Sequence, residues 1–297
     1  MMGAQSMVDD LRCVLVQHAR DAYGSQERLD AQWRSLGYLR RLDLGRALED
    51  YEIFLGLLAQ SGVEVVFQPP SENTTLDAIY AHDSAVVSDK GIILASMGKA
   101  ARRGEVAALE ALAQSRQWPI LGRIDGGGRL EGGDVCWLDS RTVAVGLTYR
   151  TNQEGVRQLE ALLGDSVDEV IRVPMPHWNG PGECLHLLSG ISPVDHDVAL
   201  VDLRMLPVPF IELLVERGVR FVEIDPTEAE TLACNVLPVS PGRVIAIAEN
   251  TETNRRLEAA GVEVMTYPGS QISIPGTGGP TCLTRPLLRG GGDEGTG

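Results

Sequence analysis

No stretch of this 297-residue chain is both long and apolar enough to span a bilayer, and the opening MMGAQSMVDDLRC has neither the basic start nor the continuous apolar run of a secretory leader. A cytoplasmic protein without a membrane role is therefore expected. Paired cysteines are missing too. The five present, Cys13, Cys136, Cys184, Cys234 and Cys282, are odd in number and widely spaced with no CxxC, so neither a disulfide framework nor a zinc knuckle is indicated and each thiol is expected to be free. Positive charge is scarce: 26 Lys and Arg stand against 41 Asp and Glu, a net charge of −15. Without clustered basic residues phosphate neutralisation fails, which argues against nucleic acid as a partner and suits a small cationic ligand better. No GxGxxG turn follows the first strand signal, so a dinucleotide site has no support.

What the chain does have is a repeat. With 43% hydrophobic residues it can bury a large core. Four stretches share one pattern, an amphipathic helical run, a turn and a short apolar strand: FLGLLAQSGVEVVFQP, QLEALLGDSVDEVIRVP, IELLVERGVRFVEID and NRRLEAAGVEVMTYP. A fifth, LEALAQSRQWPILGRI, fits less cleanly. The turns fall near Gly62, Arg116, Ser166, Gly218 and Gly261, a period of roughly 50 residues, in the range of repeat architectures. Further strand signals lie between them (SAVVSDKGIILAS, TVAVGL, DVALVDL, RVIAIA), so each unit carries one helix and two or three strands. The expectation is one α/β domain over residues 1–289 with pseudo-five-fold symmetry, followed by a disordered tail at 290–297, GGGDEGTG. An ordinary doubly wound sheet would also alternate helix and strand.

Chemistry-bearing residues fall between the helices, where a rigid scaffold presents loops and strand ends. DAIYAHDSAVV places Asp77, His82 and Asp83 at the entry to a strand, and GRLEGGDVCWL places Glu131 and Asp134 around a glycine pair. Asp beside Gly also serves turns with no catalytic role. Arg150 with Asn152 in VGLTYRTNQEG, and Arg102 with Arg103 in SMGKAARRGEV, are candidate carboxylate clamps or plain surface charges near helix starts. His186, in the apolar run PGECLHLLSG after Glu183, is a candidate acid and base or a satisfied core histidine. Cys282 sits in GGPTCLTRPL, where glycine and proline imply a loop held in one shape around its thiol. Together a shaped thiol, a histidine and several carboxylates are the parts of thiol-based covalent catalysis.

Read in order, AHD, RRGE, EGGD, RTNxEG, CLHL and GGPTCLTRPL resemble the guanidine-modifying penteins, most closely the dimethylarginine dimethylaminohydrolase branch, over nearly the whole chain. The resemblance implies a five-bladed α/β propeller of repeated ββαβ units with its site on the central axis. It implies Cys282 as nucleophile, His186 as general acid and base and Glu131 as the histidine's carboxylate. Asp83 would grip the substrate guanidinium, Asp77 would be a second substrate-side acid, His82 would lie near the guanidinium, and Arg102 and Arg150 would clamp an α-carboxylate. No metal or organic cofactor is implied.

The resemblance therefore points to hydrolysis of a C–N bond in the guanidine of arginine or an Nω-substituted arginine through a covalent thiouronium on Cys282, giving citrulline with an amine or ammonia. Branch features are mixed. Leu188 stands where the deiminase and amidinotransferase branches carry an aspartate after the catalytic histidine, whereas GGPTCLTRPL resembles the deiminase ending, and His82 replaces the glutamate of one branch and the arginine of the other. An amidinotransferase passing the amidino group to an amine, and a non-catalytic guanidine-binding protein, are the other readings. The oligomeric state is open, a homodimer included.

Overall fold

The structure, a computed structural model, describes residues 2–290. The expected tail from Gly291 onward lies outside the described residues. The chain runs β1 (Leu11–Val16), α1 (Ala19–Tyr23), α2 (Gln26–Leu36), α3 (Leu44–Gln60) and β2 (Glu64–Phe67), then four ββαβ units. These are β3 (Ala85–Ser88), β4 (Gly91–Leu94), α4 (Arg103–Ser115) and β5 (Ile120–Arg123); β6 (Val135–Asp139), β7 (Thr142–Leu147), α5 (Gln153–Leu163) and β8 (Glu169–Pro174); and, after the short α6 (Leu187–Gly190), β9 (Ile191–Asp195), β10 (Val198–Val201), α7 (Val208–Glu216) and β11 (Arg220–Glu223). The last is β12 (Leu237–Ser240), β13 (Arg243–Ile247), α8 (Thr251–Ala259) and β14 (Glu263–Tyr267), and β15 (Arg285–Arg289) ends the fold.

Each unit is a three-stranded sheet: a hairpin places its first strand antiparallel to the second, and the helix returns the third strand parallel to the second. A parallel pair needs such a crossover, which is why every third strand follows a helix. The fifth sheet is assembled from both ends of the chain, with β15 antiparallel to β1 and β2 parallel to it. Pairing of Leu11 with Arg289 thus closes a ring of five blades, the α/β propeller expected from the repeat.

The burial pattern shows why. The central strands GIIL and VALV are buried at every position, as a strand covered on both faces must be, whereas the third strands are partly exposed under their helices. Successive residues face opposite ways, so one strand serves two neighbours: Ile92 and Leu94 pack with Leu15 and Val66 of the preceding blade, while Ile93 packs with Val135 and Val145 of the next. The apolar interior is accordingly five clusters, one between each pair of adjacent blades. Among the described residues no helix is long and apolar enough to cross a membrane.

The weakest repeat also has its explanation. Three helix-to-strand turns use a glycine with positive φ, Gly62, Gly218 and Gly261, and the turn expected near Ser166 uses Gly164. At the α4–β5 turn Gln117 takes that conformation instead, with φ of 55°. The glycine signal is absent there although the turn is present.

Candidate active site

The blade geometry gathers residues from loops of all five blades. Cys282 lies on a single helical turn between Gly279 and Thr284, closed by the Leu283 N–H donating to the Gly279 carbonyl, immediately before β15. The glycines before it are explained by close approach and not by backbone conformation. A Cβ on Gly278 would come within 2.4 Å of the Tyr80 ring, and one on Gly279 within 2.5 Å of Asn235 Oδ1. Asn235 bridges the turn: its Oδ1 accepts from the Thr281 N–H at 3.1 Å, which orients Nδ2 to donate to Cys282 Sγ at 3.2 Å. Burial raises the Cys282 thiol to about 11, and nearby Asp83 adds to this, while Asn235 and His186 pull the other way. The thiol is therefore protonated at neutral pH until a cation arrives beside it.

His186 is held by the whole tetrapeptide EGGD. Glu131 Oε2 lies 2.8 Å from His186 Nε2. Gly132 and Gly133 leave room for what packs against them: a Cβ on Gly133 would sit 2.3 Å from His186 Nδ1 and 2.9 Å from Asp83 Oδ1. The Gly133 N–H donates to Asp83 Oδ1 at 2.8 Å, and Asp134 Oδ1 accepts from the Leu187 N–H at 3.0 Å, fixing the backbone beside the imidazole. Burial disfavours an imidazolium, but Cys184, Asp83 and Asp134 outweigh it and hold the His186 pKa well above its ordinary value. Reciprocally, Asp83 is depressed below the usual carboxylate range by His186 and Arg102 despite its burial.

Glu131 is fully buried and accepts from four groups, the Gly98 and Lys99 N–H at 2.8 and 3.3 Å, His186, and Arg150 Nη1 at 3.2 Å. Such a saturated carboxylate stays ionised. Arg150 makes no other side-chain hydrogen bond to the described residues, so part of its fork is available to a ligand.

Three expected substrate contacts are placed differently. Arg102 is buried, with Nε and Nη2 on Glu105, Nη1 on Asp83 Oδ2 at 2.5 Å and Nη2 also on the Tyr80 carbonyl. A guanidinium so committed supports Asp83 and offers no free fork to a carboxylate. Asp77 is paired with Lys99 Nζ at 2.7 Å, so an internal cation already occupies it. His82 has both ring nitrogens engaged on the C-terminal segment, Nδ1 with the Thr284 carbonyl at 2.8 Å and Nε2 with Arg285 at 3.2 Å. Burial, reinforced by Arg285, lowers its pKa to about 3 and keeps it neutral. Of the remaining candidates, Asn152 caps α5 through the Gly155 N–H, and Arg103 and Glu183 are exposed.

Sequence reasoning passed over Asn235, Lys99 and Cys184. Asn235 lies in no motif, Lys99 stands in SMGKAARRGEV only as a neighbour of the two arginines, and the partners of both are distant in sequence. Cys184 Sγ lies 3.6 Å from His186 Nδ1. Its donor atom lies with those of Glu131 and His186 in a cluster within 4.8 Å of one another, in which Glu131 and His186 are already bonded to each other. If His186 is the acid and base, Gly133→Ala is expected to lower kcat by roughly 100-fold, because a Cβ there would push the imidazole aside and a misplacement of about 1 Å at a reacting group costs that much. Gly127→Ala, where a Cβ meets nothing within 4 Å, is the control for steady-state kinetics, and equal activity of the two variants would show that packing at Gly133 is not limiting.

The profile of the family described as "Arginine deiminase" matches residues 61–212 and 203–289. The chain is 31% identical over 191 residues to arginine deiminase of Mycobacterium marinum, covering 54% of this chain and 46% of that protein. It thus spans about half the length of the curated arginine deiminases it matches. To the N(G),N(G)-dimethylarginine dimethylaminohydrolase of Pseudomonas aeruginosa it is 25% identical over 249 residues, 83% of this chain and 91% of that one. A crystal structure of the Pseudomonas aeruginosa enzyme, as a Cys-to-Ser mutant complexed with citrulline, superposes with a TM-score of 0.73 at 23% identity over 93% of this chain and 99% of that chain. The amidinotransferase SxtG from Microseira wollei superposes at 0.77 with 16% identity, 98% of each chain being covered, a likeness of fold. With its profile spanning four of the five blades, the propeller closed by β15 and the histidine–carboxylate pair set among Asp83, Arg150 and the thiols of Cys184 and Cys282, this chain belongs to the arginine deiminase family of guanidine-modifying penteins.

Proposed function

We propose that the protein hydrolyses a C–N bond in the guanidine group of arginine or an Nω-substituted arginine, with Cys282 as nucleophile. The observation that carries this reading is the His186–Glu131 pair at 2.8 Å, set among Asp83, Arg150 and a thiol that senses both His186 and Asp83. The substrate guanidinium approaches ionised Asp83, and its positive charge stabilises the thiolate as the thiol proton leaves to solvent. The sulfur then adds to the guanidine carbon. Protonated His186 gives its proton to the departing nitrogen, the C–N bond breaks, and a thiouronium remains on Cys282. Now neutral, His186 takes a proton from water as the oxygen adds to the same carbon; the C–S bond then breaks as the remaining hydroxyl proton leaves to solvent, releasing a ureido product such as citrulline and the thiolate, and the departed ammonia or amine takes up a proton. Glu131 orients the imidazole and stabilises its charged form throughout.

The test is a mass-spectrometric screen of arginine, methylated and hydroxylated arginines, agmatine and guanidino acids for a ureido product, with and without an amine acceptor such as glycine. Loss of an amine or ammonia without acceptor supports hydrolysis, and turnover only with acceptor would assign amidino transfer instead.

Arg150 is the one expected clamp whose fork is not fully engaged, and it carries the preference for an α-carboxylate in this reading. Arg150→Ala is expected to lower kcat/KM for arginine-type substrates at least roughly 30-fold, the order for removing one partner of a desolvated charge-assisted pair. Because Arg150 also donates to Glu131, a smaller common loss is expected with agmatine, which lacks the carboxylate. The readout is the ratio between the two substrates, and equal losses would remove Arg150 from carboxylate recognition.

A further inference from the structure

Behind the Cys282 turn, the propeller axis carries a second polar centre that the proposed chemistry does not use. It is a recess of about 410 Å³, its open side included, and its enclosed part is on the scale of a water molecule or a monatomic ion. Its walls come from the first strands of three blades, β3, β6 and β12, from β15 and from the N-terminal segment, and they include His82, Trp137, Pro238, Thr281, Arg285 and Arg289. None of Cys282, His186, Glu131, Asp83 or Arg150 lines it.

Both arginines are nine-tenths buried, and among the described residues neither has a carboxylate within ion-pair distance. Arg285 Nη1 donates to the carbonyls of His82 and Ala85 at 3.1 and 2.6 Å, and Nη2 faces the neutral His82 Nε2. Its Nε is buried with no hydrogen-bond partner. Arg289 donates to the carbonyls of Asp9 and Pro238 at 2.7 and 2.8 Å. Asp83 and Asp9 influence these groups only through space, and Asp83 is already bound to Arg102. Burial pulls the guanidinium pKa values down, Arg285 to about 10 and Arg289 to about 9, with the charge of Arg285 adding to the fall at Arg289. Both therefore stay charged at neutral pH, two like charges in one recess, served by dipoles alone. Buried charges of this kind are ordinarily paired.

We propose that the recess binds a small monovalent anion of chloride's size between the guanidinium groups of Arg285 and Arg289, with Arg285 Nε as a donor. Charge calls for an anion, and the small enclosed space selects a halide over sulfate or phosphate. A bound halide would anchor β15, the strand that closes the ring, three residues beyond the nucleophile.

Two measurements on the full chain test this. Crystals soaked in bromide are expected to show an anomalous peak between Arg285 and Arg289, within hydrogen-bond distance of Arg285 Nε. Thermal unfolding at fixed ionic strength is expected to show Tm rising and saturating with chloride but not with gluconate, by about 3 °C at ten times Kd. Arg289→Gln is expected to abolish the difference between the two salts. If that variant fails to fold, the bromide map decides. No peak between the two arginines, a tail carboxylate of Asp293 or Glu294 seated there in place of the ion, or identical Tm in chloride and gluconate would overturn the proposal.

Discussion

Cys282→Ser is expected to lower turnover by at least about 10⁴-fold, the order seen when a covalent nucleophile is removed, while the fold survives. A serine hydroxyl matches the thiol in shape and can still accept from Asn235 Nδ2. It is far harder to ionise: the protein around position 282 already raises a thiol to about 11 and would disfavour an alkoxide more strongly. Substrate charge can bring the thiolate within reach but not an alkoxide. The change adds no volume, so Tm is expected to stay within about 3 °C of the parent. Substrate should still bind, since Asp83 and Arg150 are untouched, and calorimetry with the inactive variant measures that directly. A serine variant with more than a few per cent of parent activity would remove Cys282 from the chemistry. Cys136 and Cys234 are buried in the clusters between blades, and their Ser variants should lose stability and retain kcat.

Glu131→Gln is expected to cost roughly 10³–10⁴-fold in kcat, with a readout that a merely structural role would not produce. One carboxylate oxygen accepts from the Gly98 and Lys99 N–H and the other from His186 and Arg150. A glutamine can present its carbonyl to only one of these pairs. With the carbonyl kept by the backbone donors, its NH2 faces the imidazole and the guanidinium, and His186 must turn Nε2 into an acceptor. The imidazolium then loses an adjacent negative charge, so its raised pKa falls. Activity that needs protonated His186 is lost as pH rises through that pKa, so the basic limb of the kcat profile is expected to shift to lower pH in the variant. The measurement is kcat against pH for both proteins. An unshifted basic limb would mean that Glu131 only packs against the histidine.

Much of this organisation is legible in the chain because it depends on local order. Helix, turn and strand recur where apolar residues change from a period of 3.6 to a period of 2, and that change is a property of neighbours in sequence. Four of the five turns follow from glycine at positive φ, and the one less legible unit is the one where Gln117 takes that conformation. The EGGD tetrapeptide and the Cys282 turn could be singled out because their glycines stand beside chemistry-bearing residues. Why those glycines are needed could not be read, since the atoms they admit, His186 Nδ1 at Gly133 and Asn235 Oδ1 at Gly279, belong to other blades.

Charge pairing is what tertiary structure alone decided. By itself the sequence determined the repeat and the α/β class, which depend on spacing along the chain, and it offered the residue types of a thiol-based covalent chemistry, to which the family resemblance added the guanidine. The resemblance offered Asp77 as a substrate-side acid, His82 as a neighbour of the guanidinium, and Arg102 and Arg150 as a clamp on an α-carboxylate. Ring closure through β1 and β15 and the meeting of loops from neighbouring blades sorted them: Arg150 kept part of its fork open, Arg102 was committed to Asp83 and Glu105, Asp77 to Lys99, and His82 to Thr284 and Arg285. A buried polar group takes whatever partner the fold brings within about 3 Å, and for groups twenty to two hundred residues apart that distance is set by how the blades close.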